Sequence, residues 1–254
     1  MALVLQHIAR AFGGVHAVED VSVRFEPGRV SALIGPNGAG KTTLFNLVSG
    51  FLRLDEGIIH YREERLDGLA PWRIAQHGIG RLFQDVRLFN RMTVLDNVRA
   101  AFPRQRGESV WWSLLRRPTV RAQEESLKQR ALELLASVEL ADRARDLAEN
   151  LSFGQQKLVA LARLLAADAH VLLLDEPTAG VAPHLVPHLL GIIREIAADG
   201  RTVIVIEHNM AVVTEVADHV YFMDKGRIVA SGLPVEVLEH PSVRAAYLGV
   251  KVAV

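Results

Sequence analysis

The sequence contains no cysteine, no excess of charge of either sign and no long apolar run. Without cysteine the chain forms neither disulfides nor thiolate metal sites, although this absence does not decide its compartment. Lys plus Arg and Asp plus Glu each total 29, so the protein lacks the overall positive field with which proteins bind nucleic acid or anionic lipid. No run reaches the about 20 apolar residues of a membrane helix, and residues 1–10 lack the basic start of a secretion signal. We therefore expect a soluble protein of the cytoplasm.

Half of the 254 residues are apolar, which is enough to bury a sizeable core, and their spacing is typical of an α/β protein. Val21, Val23 and Phe25 alternate with polar residues, as in a half-buried strand. Short apolar runs that indicate buried strands lie at 30–34, 79–83, 171–174, 203–206 and 220–223. A helix face between Pro183 and Gly200 is predicted from the spacing of Leu185, Leu189, Ile192, Ile193 and Ile196.

The stretch from 85 to 166 differs, because it shows helical periodicity and no convincing strand. One helix face is indicated by Leu127, Ala131, Leu134, Leu135 and Val138. Thr93 followed by Asp96 is typical of a capped helix start, and 103–118, rich in arginine, glycine and tryptophan, predicts an exposed loop. We therefore predict an all-helical insertion in an α/β protein.

A glycine-rich segment between a predicted strand and a predicted helix fits the phosphate-loop pattern G-x-x-x-x-G-K-[ST]. It consists of Gly35, Pro36, Asn37, Gly38, Ala39, Gly40, Lys41 and Thr42, after which Thr43 begins the helical run. In such loops, backbone N–H groups converge on phosphate oxygens at a helix N-terminus. Lys41 would reach the β and γ phosphates, and the Thr42 hydroxyl would bind Mg²⁺. A chance glycine turn is the alternative, which the flanking strand and helix disfavour.

A second motif is the buried strand at 171–174, which ends in two carboxylates, Asp175 and Glu176. Open α/β sheets bind ligands at the carboxyl ends of their strands. Beside a phosphate loop, the motif is typical of a Walker B, in which Asp175 holds Mg²⁺ and Glu176 polarises the water that attacks the γ phosphate. The alternative is a solvated acidic turn before Pro177.

Residues 151–157, with the sequence Leu-Ser-Phe-Gly-Gln-Gln-Lys, resemble the L-S-G-G-Q signature of the ABC ATPases. Alone, the segment could be a helix cap with Ser152 at the N-cap. The order of the motifs supports the resemblance, because the family places its signature between a Q-loop glutamine and the Walker B. Here Gln84 precedes the signature and Asp175 follows it.

Two further positions match the ABC ATPase pattern. His208, just after the strand at 203–206, corresponds to the switch histidine that contacts the γ phosphate. Phe12 takes the place of the aromatic residue that stacks on adenine. A structural histidine and a core phenylalanine are the alternatives at these positions.

More narrowly, the chain is similar to the ATPases of branched-chain amino acid importers. This similarity is carried by residues 83–89 (FQDVRLF), Trp111 and Trp112, Phe153, and the ending 244–249 (RAAYLG). Trp111 and Trp112 are expected to be buried core aromatics, with a place near the docking surface for a membrane subunit as the alternative. Two residues depart from the ABC pattern: Phe153 replaces a signature glycine but keeps its backbone N–H, and Ala182 stands where the family has the D-loop aspartate that reaches across the dimer.

The resemblance implies the ABC ATPase fold: a P-loop NTPase (RecA-like) core with an inserted all-helical subdomain and an N-terminal antiparallel β region. One ABC ATPase domain would span 1–254. Its nucleotide-binding core would comprise 1–84 and 167–254, and its helical signature subdomain would comprise 85–166.

The resemblance also implies an ATPase that powers transmembrane import of branched-chain or related amino acids, with ATP and Mg²⁺ as cofactors. The implied catalytic residues are Glu176, His208 and Gln84, and the implied metal ligands are Thr42, Gln84 and Asp175. Nucleotide would also be bound by Phe12 and Thr43 and, across a dimer, by Ser152, Phe153, Gly154 and Gln155.

The implied partners are transmembrane permease subunits, a second ATPase subunit and, indirectly, a substrate-binding protein, with no nucleic acid. The location would be peripheral, at the cytoplasmic face of the cell membrane. The alternatives are another ABC importer or exporter, a soluble ABC ATPase that acts on nucleic acid, and a metabolic kinase that uses the same phosphate loop.

Overall fold

The structure, a computed structural model, describes residues 1–103 and 117–248. Trp111 and Trp112, most of the predicted loop at 103–118, and Gly249 lie outside the described residues. The strands of the described part are β1 Leu3–Phe12, β2 Val15–Phe25, β3 Arg29–Ile34, β4 Glu56–Tyr61, β5 Glu64–Arg65, β6 Ile79–Leu82, β7 Val171–Asp175, β8 Thr202–Ile206, β9 His219–Asp224 and β10 Arg227–Gly232. Its α-helices are α1 Lys41–Val48, α2 Pro71–Gln76, α3 Val94–Arg99, α4 Arg117–Ser137, α5 Phe153–Ala166, α6 Val186–Ala198, α7 Met210–Val216, α8 Pro234–Glu239 and α9 Pro241–Leu248. None of these helices is long and apolar enough to cross a membrane.

A six-stranded sheet has the strand order β10-β9-β3-β8-β7-β6. Its neighbours pair in parallel except β10, which pairs antiparallel with β9 at one edge. Every residue of β7 and β8 is buried, as expected for central parallel strands that are covered on both faces. The predicted strand runs are confirmed, and the parallel arrangement brings the carboxyl ends of β3, β6, β7 and β8 to one edge of the sheet.

An antiparallel sheet of four strands, in the order β2-β1-β4-β5, forms the predicted N-terminal β region. Leu3, Leu5 and Phe25 of this sheet share a buried core with Leu44 and Phe45 of α1. Strand β1 was not predicted from the sequence. Its pairing with β2 shifts register three times, so its apolar residues do not keep the strict alternation by which a strand is recognised.

The chain divides into two compact units. The first contains Met1–Gln84, His170–Ala179 and Pro187–Val254, and the second contains Asp85–Ala169 and Gly180–Val186. The helical insertion was predicted at 85–166, so the second unit also takes in 167–169 and 180–186. Packing explains the second addition: a Cβ on Gly180 would lie 2.9 Å from the Phe153 ring, and one on Gly154 would lie 3.3 Å from Val181.

The second unit is built from α3, α4 and α5, and its described residues form no strand beyond an isolated bridge between Thr93 and Leu147. Thr93 caps α3 as predicted, because its hydroxyl accepts a hydrogen bond from the Asp96 N–H at 3.0 Å. On the predicted face of α4, Leu127, Ala131 and Leu135 are buried and Leu134 is half-buried, and Val138, just after the helix, is also buried. The helical prediction for this stretch is therefore confirmed for the residues described.

Candidate nucleotide-binding site

The glycine-rich loop joins the end of β3 to the start of α1. Gly40 is the N-cap of α1 and has a φ of 104°, a conformation that glycine adopts without steric strain. Lys41 is buried, and its ammonium donates hydrogen bonds to the carbonyl oxygens of Gly35 at 2.7 Å and Pro36 at 3.0 Å. Burial lowers the pKa of Lys41, and the charges of Glu176 and Asp175 oppose that effect. The loop therefore binds the ammonium of its own lysine through two of its backbone carbonyl oxygens.

The first glycine of the loop is fixed from two sides. The Gly35 N–H donates a hydrogen bond to the Tyr247 hydroxyl of α9 at 2.8 Å. Burial raises the pKa of Tyr247, and the hydrogen bond from the Gly35 N–H opposes that effect. A Cβ on Gly35 would lie 2.0 Å from the Met223 carbonyl oxygen of β9, so no larger residue fits.

We predict that Gly35→Ala lowers the free energy of unfolding by about 2–5 kcal/mol, because the added methyl meets backbone and the φ of 151° is strained for alanine. Gly191→Ala is the matched control. Gly191 lies within α6, and a Cβ there would have no atom within 4 Å. Gly191→Ala should therefore raise the free energy of unfolding by about 0.5–1 kcal/mol. Urea unfolding of both variants measures the difference, and equal stabilities would contradict the prediction.

Glu176, the residue after β7, contacts the other two predicted catalytic residues. Glu176 has a φ of 48°, and its N–H donates to the Ile206 carbonyl oxygen at 3.0 Å. One carboxylate oxygen, Oε1, lies 3.0 Å from His208 Nε2, and the other, Oε2, accepts a hydrogen bond from Gln84 Nε2 at 3.2 Å. The carboxyl ends of β6, β7 and β8 thus bring Gln84, Glu176 and His208 together.

The first carboxylate, Asp175, is buried in an ion pair that the sequence did not predict. Its Oδ2 accepts a hydrogen bond from Arg81 Nη2 at 2.9 Å, and both side chains are less than a tenth exposed. Arg81 lies on β6, and its other terminal nitrogen donates to Asn46 Oδ1 on α1 at 2.6 Å. The Arg81 guanidinium therefore links Asp175 at the end of β7 to both β6 and α1.

A pocket of about 260 Å³ opens beside these groups. Its walls are formed by Ala17, the loop residues 37–43, Glu176, Ile206 and His208. The pocket combines a buried cation, the backbone of a glycine-rich loop and a carboxylate that could accept a proton. Such a combination suits a phosphate group that is attacked by water.

The signature residues belong to the second unit. Ser152 caps α5, with the Gln155 N–H donating to its hydroxyl at 3.3 Å and the Gln155 side-chain oxygen accepting from the Ser152 N–H at 3.0 Å. Phe153 remains 41% exposed, and the Lys157 ammonium lies 5.2 Å from its ring centroid. The N-terminal turn of α5, including Gly154, is therefore held in a defined conformation that presents an exposed aromatic ring.

A family model described as "ABC transporter" matches residues 18–179, which is more than half of the chain. The chain belongs to the ABC transporter ATPase family. A second model, described as "Branched-chain amino acid ATP-binding cassette transporter", matches residues 227–253. This ABC ATPase therefore binds nucleotide and hydrolyses ATP as the ATP-binding subunit of a transporter, and the predicted family and enzyme class are confirmed.

Relatives of this ABC ATPase extend over nearly its whole length. The high-affinity branched-chain amino acid transport ATP-binding protein LivG of Salmonella typhimurium is 37% identical, covering 97% of this chain and 97% of its own. BraF of Pseudomonas aeruginosa, described in the same words, is 36% identical with the same coverage. The solved ADP conformation of MJ1267, an ATP-binding cassette of an ABC transporter, has a TM-score of 0.83 and 34% identity, covering 98% of this chain and 100% of that chain. The predicted fold class is confirmed.

The structure also adds residues to the site that the sequence motifs did not indicate. Glu207 is buried after β8, and its Oε1 accepts hydrogen bonds from the Thr178 N–H at 3.1 Å and the Thr178 hydroxyl at 2.7 Å. This contact fixes the turn that follows Glu176.

Phe12 is 44% exposed, with the Arg10 guanidinium 4.9 Å from its ring centroid, so the alternative of a core phenylalanine is wrong.

Proposed function

We propose that this ABC ATPase powers the import of branched-chain or related amino acids. Relatives with 36–37% identity are named for branched-chain amino acid transport, and residues 227–253 match a family described in similar terms. In this proposal the protein lies at the cytoplasmic face of the membrane as a peripheral subunit. It binds transmembrane permease subunits, which receive cargo from a substrate-binding protein, and it does not act on nucleic acid.

The observation that carries the catalytic part of the proposal is the double contact on the Glu176 carboxylate. His208 and Gln84 hold its two oxygens at 3.0 and 3.2 Å, in the first unit with Lys41. Glu176 is the group that polarises the attacking water and accepts its proton. His208 turns its ring nitrogen to the γ phosphate when ATP binds, and Gln84 keeps the carboxylate oriented.

Nucleotide binding exchanges the partners of Lys41. Its ammonium leaves the Gly35 and Pro36 carbonyl oxygens, 2.7 and 3.0 Å away, for the β and γ phosphate oxygens, which carry full charge and bind it more strongly. The backbone N–H groups of the phosphate loop hold the remaining oxygens. Phe12, exposed and aromatic, stacks on the adenine ring.

The residues present fit a magnesium ion that is bound together with ATP. Thr42 and Asp175 would supply the hydroxyl and carboxylate oxygens that Mg²⁺ prefers, and Gln84 would supply an amide oxygen. Phosphate oxygens and water would complete the ligand set. When bound, Mg²⁺ neutralises charge on the β and γ phosphates.

A complete site also needs a second ATPase subunit. Ser152, Phe153, Gly154 and Gln155 bind the γ phosphate of the ATP that is held by the partner, through the Ser152 hydroxyl and backbone N–H groups at the start of α5. Ala182 is exposed and cannot supply the D-loop carboxylate. A different ATPase subunit, with an aspartate at that position, restores this contact from its side.

Reconstitution in liposomes with the permease subunits, the second ATPase and the substrate-binding protein tests this function. We expect uptake of leucine that requires ATP and Mg²⁺ and stops when any one subunit is omitted. The isolated chain should be a weak ATPase whose specific activity rises with its concentration, because dimer formation follows mass action. Co-purification of the chain with permease subunits from membranes is the cellular counterpart of this test.

Three outcomes would overturn parts of the proposal. Full ATPase activity of the isolated chain, independent of its concentration, would exclude the need for a different partner. ATP-driven export from the liposomes would replace the importer with an exporter. Retention of the chain on nucleic acid at physiological salt, without membrane subunits, would favour the soluble ABC ATPase.

A further inference from the structure

Arg81, on β6, forms a buried junction with α1 and the end of β7. Its guanidinium donates to Asp175 Oδ2 at 2.9 Å and to Asn46 Oδ1 at 2.6 Å, and it lies 3.3 Å from Ser49 Oγ. It also packs between two aromatic rings, with centroids 5.6 Å away at Phe45 and 4.7 Å away at Phe83. The side chain is only 6% exposed.

Stability alone does not account for this junction. Buried ion pairs lose hydration that their attraction repays only in part, and well-packed apolar residues of similar volume are often equally stable or more so. The Nε of Arg81 is buried without a hydrogen-bond partner among the described residues, so the group is not fully satisfied. The contacts of Arg81 with Asn46 and Asp175 therefore need an explanation other than stability.

The junction joins the two elements that carry the proposed metal ligands. Asn46 lies one helical turn after Thr42 on α1, and Asp175 ends β7. Arg81 binds both Asn46 and Asp175, so it fixes the separation of the Thr42 hydroxyl from the Asp175 carboxylate. It also holds one oxygen of Asp175, which restrains rotation of the carboxylate and leaves the other oxygen for the metal or its water.

We propose that Arg81 is a positioning residue for the metal–nucleotide complex, which acts by holding Asp175 and α1 in the arrangement that Mg²⁺ requires. This inference rests on the proposed roles of Thr42 and Asp175 as metal ligands. Arg81 is not among the residues that line the pocket. Its effect therefore passes through Asp175, and that dependence can be measured.

The test is a double-mutant cycle on binding instead of turnover. A fluorescent ATP analogue is titrated into wild type, Arg81→Met, Asp175→Asn and the double variant, with Mg²⁺ and again with EDTA. The ratio of the two Kd values gives the gain in affinity that depends on metal. We expect Arg81→Met to reduce this gain about 10–100-fold, as for other partners of metal ligands, and to leave the Kd in EDTA unchanged. In the Asp175→Asn background, removing Arg81 should cause no further loss.

Two more variants separate positioning from folding. Arg81→Lys keeps the charge without the two-pronged geometry and should recover part of the gain. Arg227→Met removes an exposed arginine that pairs with Glu19 and should behave as wild type. Arg81→Met leaves Asp175 buried without its partner, and if this variant does not fold, Arg81→Lys takes its place in the cycle.

The possible results distinguish two failures. Equal losses from the Arg81 change in both backgrounds, or a matching loss of affinity in EDTA, would show that Arg81 acts on the fold in general, and the inference would be wrong. An unchanged metal-dependent gain in Asp175→Asn would instead contradict the proposed metal site itself.

Discussion

Glu176→Gln should lower the rate of ATP hydrolysis by about 10²–10⁴, the usual contribution of a general base, while ATP binds as tightly as before or more tightly. The amide keeps the size of the carboxylate and can still bond to His208 and Gln84, which contact the Glu176 oxygens at 3.0 and 3.2 Å. It cannot accept the proton of the attacking water. Single-turnover hydrolysis and direct nucleotide binding, with the partner subunits present, measure the two effects separately.

The controls use two other acidic residues. Glu63→Gln changes an exposed glutamate of the first unit and should leave both measurements unchanged. Asp175→Asn should weaken binding in the presence of Mg²⁺ as well as turnover, since it removes charge from the proposed metal site. Near-normal hydrolysis by Glu176→Gln would mean that another residue positions the water, and the catalytic assignment would be wrong.

Lys41→Ala should weaken ATP binding by at least about 100-fold. Hydrogen bonds to charged groups contribute about 1.5–3 kcal/mol each, and among the described residues that line the pocket no other is a lysine or an arginine. Burying the Lys41 ammonium is unfavourable, as its lowered pKa indicates, and alanine removes this cost together with two hydrogen bonds to backbone carbonyl oxygens. The variant should therefore lose no more stability than those two hydrogen bonds contribute. Isothermal titration with ATP measures the affinity.

Lys128→Ala is the matched control for this prediction. Lys128 lies on α4 in an ion pair with Glu125 that is largely exposed, and its removal should change neither affinity nor stability. Thermal unfolding of both variants shows whether the fold is intact. An unaltered ATP affinity in folded Lys41→Ala would exclude the proposed role of the lysine.

The sequence predicted those parts of the site that consist of neighbouring residues. The phosphate loop has to be contiguous, because successive N–H groups must converge, and its strand and helix lie directly on either side. The cap at Ser152 is equally local. The first and last turns of a helix leave backbone groups unpaired, and a side chain three residues away satisfies them. Such local patterns can be recognised in a sequence without any knowledge of the strand order.

The contacts between distant residues could not be predicted in this way. Arg81 and Asp175 are 94 residues apart, and Gly35 and Tyr247 are 212 apart. They meet because β6 pairs with β7 and because α9 reaches the loop after β3, and neither fact follows from periodicity. In the sequence, Arg81 is one polar residue in a short predicted strand. Its position within an otherwise apolar run could have predicted a buried partner, because a buried charge needs one.

The position of β3 has a consequence for the order in which the protein can be completed during translation. Both hydrogen-bonded neighbours of β3, at Thr202–Ile206 and His219–Asp224, are synthesised long after it, and the Tyr247 hydroxyl that receives the Gly35 N–H comes later still. A ribosome-bound fragment that ends before residue 202 therefore carries the whole phosphate loop sequence without the sheet that shapes it. The nucleotide site can therefore be completed only after residue 202 has been synthesised, and until then the β3 segment lacks both of the strands that pair with it.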